Sequence, residues 1–403
     1  MKQIPFSPPD ITEVEIEAVT QALRSGWITT GPQTKRFEQR IRDYTGAAGA
    51  ACLNSATAAL ELTLRLLGVG PGDEVITSAY TYTASASVIA HVGAKIVFAD
   101  VAPGSLEMDY DKLDGYINER TKAIIPVDVG GRMCDYDRIY DVVRSASARF
   151  RPANDLQALY GRPVVLADAA HSFGASRRGR RSGDAADFTC FSFHAVKNLT
   201  TAEGGAVVWR DAPGLDSDYI YRELMLLSLH GQSKDALAKT KLGQWEYDIV
   251  YPAYKCNMPD TLAALGNAQL DRYGGILARR REMVGRYDAG LKPLGLWILS
   301  HYGTDYASSG HLYILRVPGY RVEQRNEAIV RLAEQGVAAN VHYKPLPMMT
   351  AYKRMGFDIA DYPNAYAMYE NEITLPLHGR LTDADIDYVV AALARALRDV
   401  KRG

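Results

Sequence analysis

Three short stretches of this sequence put reactive side chains where apolar runs end. NSATAAL (54–60) follows AACL and sets small, hydroxyl-bearing residues at the start of a helix. Free amides and the helix dipole make such a turn a site for a phosphate, and small side chains let the backbone come close. Ser55 and Thr57 stand there either as donors to an anion or as plain N-caps. PVVLAD (163–168) ends in Asp168. A carboxylate at the end of a buried strand is costly unless a cation such as a pyridinium nitrogen meets it, or unless it caps the next turn. FTCFSF (188–193) leads past Ser192 and His194 to Lys197. A lysine kept from water beside a cationic cofactor has a lowered pKa and serves as nucleophile and base, whereas a lone lysine is usually a solvated surface residue.

Other strand-end residues leave two readings each. His171 is either a donor to a cofactor oxygen or a satisfied interior histidine, and Tyr82 in AYTYTAS either stacks on a flat ring or joins the core. Glu203, Gly204 and Gly205 shape a tight turn in which the backbone can approach something closely. A phosphate turn, a carboxylate and a lysine, each after its own strand, together describe a pyridoxal phosphate site with Lys197 as its Schiff-base lysine.

The elements that must position these groups alternate. A helix over 10–26 opens with a Thr12/Glu15 capping box and stops at Gly26, and WITTGP (27–32) is too rich in turn formers to continue it. From residue 50, strands at AACL, DEVIT, KIVFADV, KAIIPVDV and PVVLAD alternate with helical patterns, and strands at FTCFSF and GAVVWR follow. Such alternation implies crossover connections, a largely parallel sheet and ligands at the strands' carboxyl ends. This gives an α/β large lobe over residues 1–250. A long helix over 259–291, the runs HLYILRV and VAANVHY, and helices over 325–336 and 382–397 give a smaller α+β lobe over 251–403. The segment RPANDLQALYGRP (151–163) reads as an inserted loop or short helix.

Composition narrows the functional classes. The net charge of −1 gives no reason to expect nucleic-acid or membrane binding. The start, MKQIPFSPPD, lacks the charged and apolar regions of a signal peptide, and no apolar run approaches the ~18 residues of a membrane span. The four cysteines lie far apart, without a CxxC pair, so scattered free thiols in a reducing cytoplasm are expected and no metal site is.

GWITTGP, NSATAAL, DAAHSFG and FSFHAVKNLTTAEGG in combination resemble the DegT/DnrJ/EryC1/StrS sugar-nucleotide aminotransferases, over residues ~5–400. The resemblance implies the aspartate-aminotransferase (type I) fold and a set of roles. Lys197 would bind the cofactor and shuttle a proton, and Asp168 would pair with the pyridine nitrogen. Tyr82 would stack on the ring, where relatives carry Trp or Phe. Thr57, the amides around Ala56 and Ala58, and Ser192 would hold the phosphate, with His171 near the phenolic oxygen. Asn257 matches a residue that relatives send to the neighbour's phosphate, which implies a homodimer with shared sites. Trp27, Thr29, Thr30, His194 and His342 would lie on the sugar side. Many relatives carry a second histidine soon after the first, whereas this chain has VHYKPLPMM with Pro347.

The implied reaction moves an amino group, from glutamate, to C4 of a UDP-linked 4-keto sugar. Its alternatives are a C3 or dTDP-sugar aminotransferase, a dehydratase on the same fold, and a non-catalytic regulator. Dehydratase relatives replace the lysine with histidine, and a regulator need keep neither Lys197 nor Asp168, so both residues argue for the aminotransferase.

Overall fold

The structure is a computed structural model that describes residues 2–234 and 246–402. Two helices open the chain, α1 (Glu13–Arg24) and α2 (Pro32–Thr45). Thr12 and Glu15 form the capping box in front of α1. The first turn of α2 has no cap of its own. The buried Asp260 supplies one from 226 or more residues away, accepting the N–H groups of Gly31, Gln33 and Thr34 at 2.8, 3.0 and 2.9 Å. This carboxylate ties the WITTGP loop to the second half of the chain.

Strands and helices then alternate: β1 (Gly49–Leu53), α3 (Ala56–Leu66), β2 (Glu74–Ser78), α4 (Ala84–His91), β3 (Lys95–Ala99), α5 (Tyr110–Leu113), β4 (Thr121–Ile125), α6 (Tyr136–Ser145), α7 (Asp155–Tyr160) and β5 (Val164–Asp168). A hairpin of β6 (Ser176–Arg177) and β7 (Arg180–Arg181) precedes β8 (Phe188–Ser192) and β9 (Gly205–Trp209). Seven of these strands make one sheet in the order β1-β9-β8-β5-β4-β2-β3. β9 alone runs against its neighbours, and the rest are parallel. β1, β4, β5 and β9 are buried along their whole length, which is why they read as largely apolar runs. The shared direction brings the carboxyl ends of β1, β2, β5 and β8 to one edge of the sheet.

The second half holds α8 (Ser217–Ser228), α9 (Asp260–Asp271), α10 (Tyr273–Leu291), β10 (Trp297–Ile298), β11 (Tyr306–Ala307), β12 (Tyr313–Arg316), α11 (Val322–Glu334), α12 (Thr350–Arg354), α13 (Pro363–Glu370), β13 (Glu372–Leu375) and α14 (Asp383–Arg402). An antiparallel sheet, β10-β12-β13, carries a core of Tyr287, Leu315, Leu332, Ile373 and Leu393 with α10, α11 and α14.

Several expectations change in detail. The single helix over 259–291 is two, because Arg272 leaves helical geometry (φ −107°, ψ 6°) and its guanidinium bonds back to Asp10 and Glu15. VAANVHY (337–343) forms isolated bridges, Val337 to Ile4 and Asn340 to Thr374, and no strand of its own. Two segments pack across the 250/251 division expected from the sequence. Ile4 lies in the core of the small sheet, whereas Met258 and Ala263 pack with Phe37 and Phe193 of the large one.

The 151–163 segment also has a mechanical place. It forms α7, and the side chains of Asn154 and Gln157 both donate to the Leu67 carbonyl, at 2.9 and 2.8 Å. That carbonyl closes the far end of α3, whose near end bears the NSATAAL turn.

Candidate active site

At the carboxyl edge of the sheet lies a cavity of ≈ 420 Å³ between the two lobes. Ala56, Thr57, Tyr82, Asp168, His171, Ser192, His194, Lys197 and His342 all line it, so residues up to 286 positions apart share one space.

Its floor is the first turn of α3. Ser55 caps the helix by accepting the Ala58 amide at 3.0 Å, so that amide is already engaged and Ala58 does not line the cavity. First-turn amides ahead of it have no partner within the helix and carry its positive end. Gly205 explains the EGG turn. A Cβ there would meet the Ala56 nitrogen at 2.3 Å, so what the glycine approaches closely is this helix mouth. Ser192, at the end of β8, adds a hydroxyl that accepts the His194 amide at 3.4 Å.

Asp168 is buried and among the described residues forms no salt bridge. Ser85 donates to its Oδ2 at 2.6 Å and the Ala170 amide to its Oδ1 at 3.2 Å. Burial raises its pKa, and these two donors and Lys197 oppose the rise. A buried carboxylate with donors behind it and a cavity in front is suited to a cationic ring nitrogen. Lys197, reached by a turn in which its amide donates to the His194 carbonyl at 2.9 Å, lines the same cavity. Enclosure pulls its pKa down to about 8, with Asp168 pulling the other way. A useful fraction of the amine is therefore uncharged at neutral pH.

His171 is buried, and burial together with Lys197 and His342 holds it well below the usual imidazole range. The Gly130 amide donates to its Nδ1 at 3.3 Å, which leaves the proton on Nε2 to be given to the Tyr343 hydroxyl at 3.1 Å. Both ring nitrogens are thus taken by protein groups, and Tyr343 keeps its own proton for the cavity it lines. Tyr82 is 62% exposed, with its ring 6.2 Å from that of Tyr343. It is no core aromatic. His194 stands at the open side, 3.6 Å from Glu203.

Besides Ala58, four expected residues stay outside this cavity. Trp27 donates to the Thr30 carbonyl, Thr30 donates to the Met258 carbonyl, the Asp260 amide bonds the Thr29 carbonyl, and Asn257 donates to Thr30. They form a cluster of their own, with Asn257 bridged to Leu53.

A family model, the DegT/DnrJ/EryC1/StrS aminotransferase family, matches residues 9–394. The chain belongs to that family. As a member, it is a pyridoxal-phosphate-dependent aminotransferase with the type I fold. The spore coat polysaccharide biosynthesis protein SpsC of Bacillus subtilis is 37% identical, over 99% of this chain and 97% of that protein. The UDP-4-amino-4-deoxy-L-arabinose–oxoglutarate aminotransferase of Shewanella sediminis is 36% identical, over 97% of each. Among solved structures, the PMP form of Spr1654 from Streptococcus pneumoniae matches with a TM-score of 0.97 at 55% identity, covering 99% of this chain and 100% of that one.

Several residues of this aminotransferase's cavity have no sequence signal. Phe6 and Ser7 arrive from the N-terminus, with Ser7 donating to the Val196 carbonyl at 3.1 Å and Phe6 stacked on His342 at 5.6 Å. His311 also has none, since a histidine before β12 looks ordinary, and neither has Ser85, which sits inside α4 and reaches the site only through Asp168. Tyr343 could have been found, because it adjoins His342 in VHYKP.

Proposed function

We propose that this aminotransferase transfers an amino group, from glutamate, to C4 of a UDP-linked 4-keto sugar destined for a surface polysaccharide. The observation that carries the reading is the meeting of Lys197, Asp168 and the α3 mouth in one cavity. Similarity to an arabinose aminotransferase and to a polysaccharide-synthesis protein supports the sugar.

When bound, pyridoxal phosphate supplies the electron sink and carries the amino group between the two substrates. The chain's own residues do the rest. Thr57, Ser192 and the amides about Ala56 hold the phosphate at the positive end of α3. Asp168, oriented by Ser85, keeps the ring nitrogen protonated. Tyr82 would stack on the ring, and His171 would act near the phenolic oxygen through Tyr343. Lys197, partly uncharged, moves the proton at the reacting carbon. His194 and His342 face the substrate's side, and the nucleotide supplies binding energy remote from the reaction.

The Asn257, Trp27, Thr29 and Thr30 cluster, outside its own chain's cavity, is assigned to the neighbour's site in a homodimer. Ile249, Val250 and Tyr254, exposed nearby along the chain, support that contact. The cysteines are free thiols, in keeping with a cytoplasmic setting, and among the described residues no helix is long and apolar enough to cross a membrane.

The test is a panel. The glutamate-treated enzyme is mixed with UDP- and dTDP-linked 4-keto and 3-keto sugars, and the cofactor's absorbance is followed. Rapid recovery with UDP-4-keto sugars alone is expected, and recovery only with 3-keto sugars would move the reaction to C3.

A further inference from the structure

A recess of ≈ 10 Å³, about the least that admits one water, opens beside Lys197 and shares Ser192, His171 and His311 with the main cavity. His311 precedes β12, comes from the second half of the chain and is 4% exposed. Its amide and that of Leu312 donate to the Gly130 carbonyl at 3.2 and 3.3 Å. Arg280 of α10 gives its Nη1 to the Gly310 carbonyl at 2.9 Å. The backbone of His311 is thus held from both sides.

The surrounding hydrogen bonds also fix its tautomer. The Asn198 side-chain amide donates to the Ser309 carbonyl at 2.8 Å, and a carbonyl only accepts, so Asn198 turns its oxygen to His311. That oxygen lies 2.9 Å from Nδ1, which therefore carries the ring proton. Nε2 is left as a bare acceptor. His301 Nε2 and His378 Nδ1 lack partners and are shut off, whereas His311 Nε2 lacks one among the described residues and is open. The open space that His311 lines is the cavity and its recess. Lys197 Nζ, likewise without a protein partner among the described residues, shares both spaces. Other donors around the recess are spent, His171 on Tyr343 and the Tyr273 hydroxyl on the Phe173 carbonyl at 2.7 Å.

We propose that the recess holds one water that links Lys197 to His311, accepting an N–H of the lysine and donating a proton of its own to Nε2. In the chain without cofactor, the Ser192 hydroxyl is a third neighbour with its proton free, which gives the three contacts usual for a buried water. The link holds the freed amine in place while it carries a proton. It rests on the role proposed above for Lys197 and is indifferent to the sugar. His311 acts through Lys197 and is a positioning residue. The ionisable groups facing it are His171, Lys197, Arg280 and His342, and Lys197 faces Asp168 as well. Burial, with His171 and Lys197 nearby, keeps His311 well below the usual imidazole range, so it stays neutral while Lys197 titrates at about 8.

The tests use the full chain without cofactor. A high-resolution crystal structure should show one ordered water within hydrogen-bond reach of Lys197 Nζ and His311 Nε2. A dry recess, or a direct contact between the two nitrogens, overturns the water. The histidine-¹⁵N-labelled chain has eight imidazoles, and the pattern lost in His311→Gln is that of His311. Two-bond ¹H–¹⁵N spectra should show the Nδ1–H form from about pH 6.5 to about pH 9.5. Its Nε2 signal should take one step at about pH 8, where Lys197 titrates. In Lys197→Met that step should vanish and the tautomer persist. An Nε2–H form, a parent without the step, or a step that survives in Lys197→Met overturns the link. Cofactor uptake reads the consequence for the amine. His311→Leu should lower the pH midpoint of uptake by about one unit, because the ammonium loses its link to an acceptor. His311→Gln, which keeps an acceptor oxygen, should stay nearer the parent. An unchanged midpoint in His311→Leu overturns the effect on the amine. If the cofactor proves to be joined to another lysine, the role of Lys197 falls, while the crystal structure and the spectra still decide the water and the tautomer.

Discussion

Gly205 passes so close beneath Ala56 that no side chain fits between the start of β9 and the mouth of α3. The conflict is with backbone atoms of Ser55 and Ala56, which cannot move aside as a flexible side chain would. Gly205→Ala should therefore cost about 1–3 kcal/mol of stability and splay the phosphate turn. Urea unfolding and the amount of cofactor retained after dialysis check both parts. Unchanged stability with full loading would contradict this role for the turn.

Ser85 stands behind Asp168 and offsets part of the burial that lifts the carboxyl's pKa. In Ser85→Ala that offset goes and the pKa rises further. Because the carboxylate is lost as pH falls, the acid limb of kcat/KM should move to higher pH. The plateau should drop by about 10–100-fold, the size usual for loss of an orienting partner. A profile unmoved on its acid side would separate Ser85 from Asp168.

Lys197 offers a pH dependence of its own. Cofactor uptake by the apo-protein needs the uncharged amine, whose pKa lies at about 8. The uptake rate should climb with pH and level off above that value. Asp168→Asn removes the neighbour that raises the lysine's pKa, so the midpoint should fall. Stopped-flow absorbance measures it, and a midpoint near the ordinary lysine value of about 10.4 would mean the amine faces water.

Asn257 and its cluster make a prediction about assembly. Lys197→Ala and Asn257→Ala chains are each impaired at both sites of their own dimer. A mixed dimer regains one intact site, so statistical mixing should restore about a quarter of the parent activity. Verified mixed dimers without recovery would place Asn257 outside the neighbour's site.

The groups that carry chemistry were legible because each follows an apolar run, and a parallel sheet brings such ends together. NSATAAL, Asp168 and Lys197 needed only that rule. What stayed hidden depends on distant packing. Asp260 caps α2 from across the chain, and Phe6 reaches the cavity from the N-terminus. Arg272 breaks a helix whose apolar spacing runs on past it, because its partners, Asp10 and Glu15, lie more than 250 residues earlier. Periodicity reports a face, and cannot report who caps it.

The central claim is that one amine in this chain meets the cofactor. Loading the protein with pyridoxal phosphate, reducing it with borohydride and mapping the phosphopyridoxyl group by peptide mass spectrometry tests that claim directly. The label should fall on Lys197 alone and vanish in Lys197→Ala. A label on any other lysine, persisting in that variant, would contradict the account.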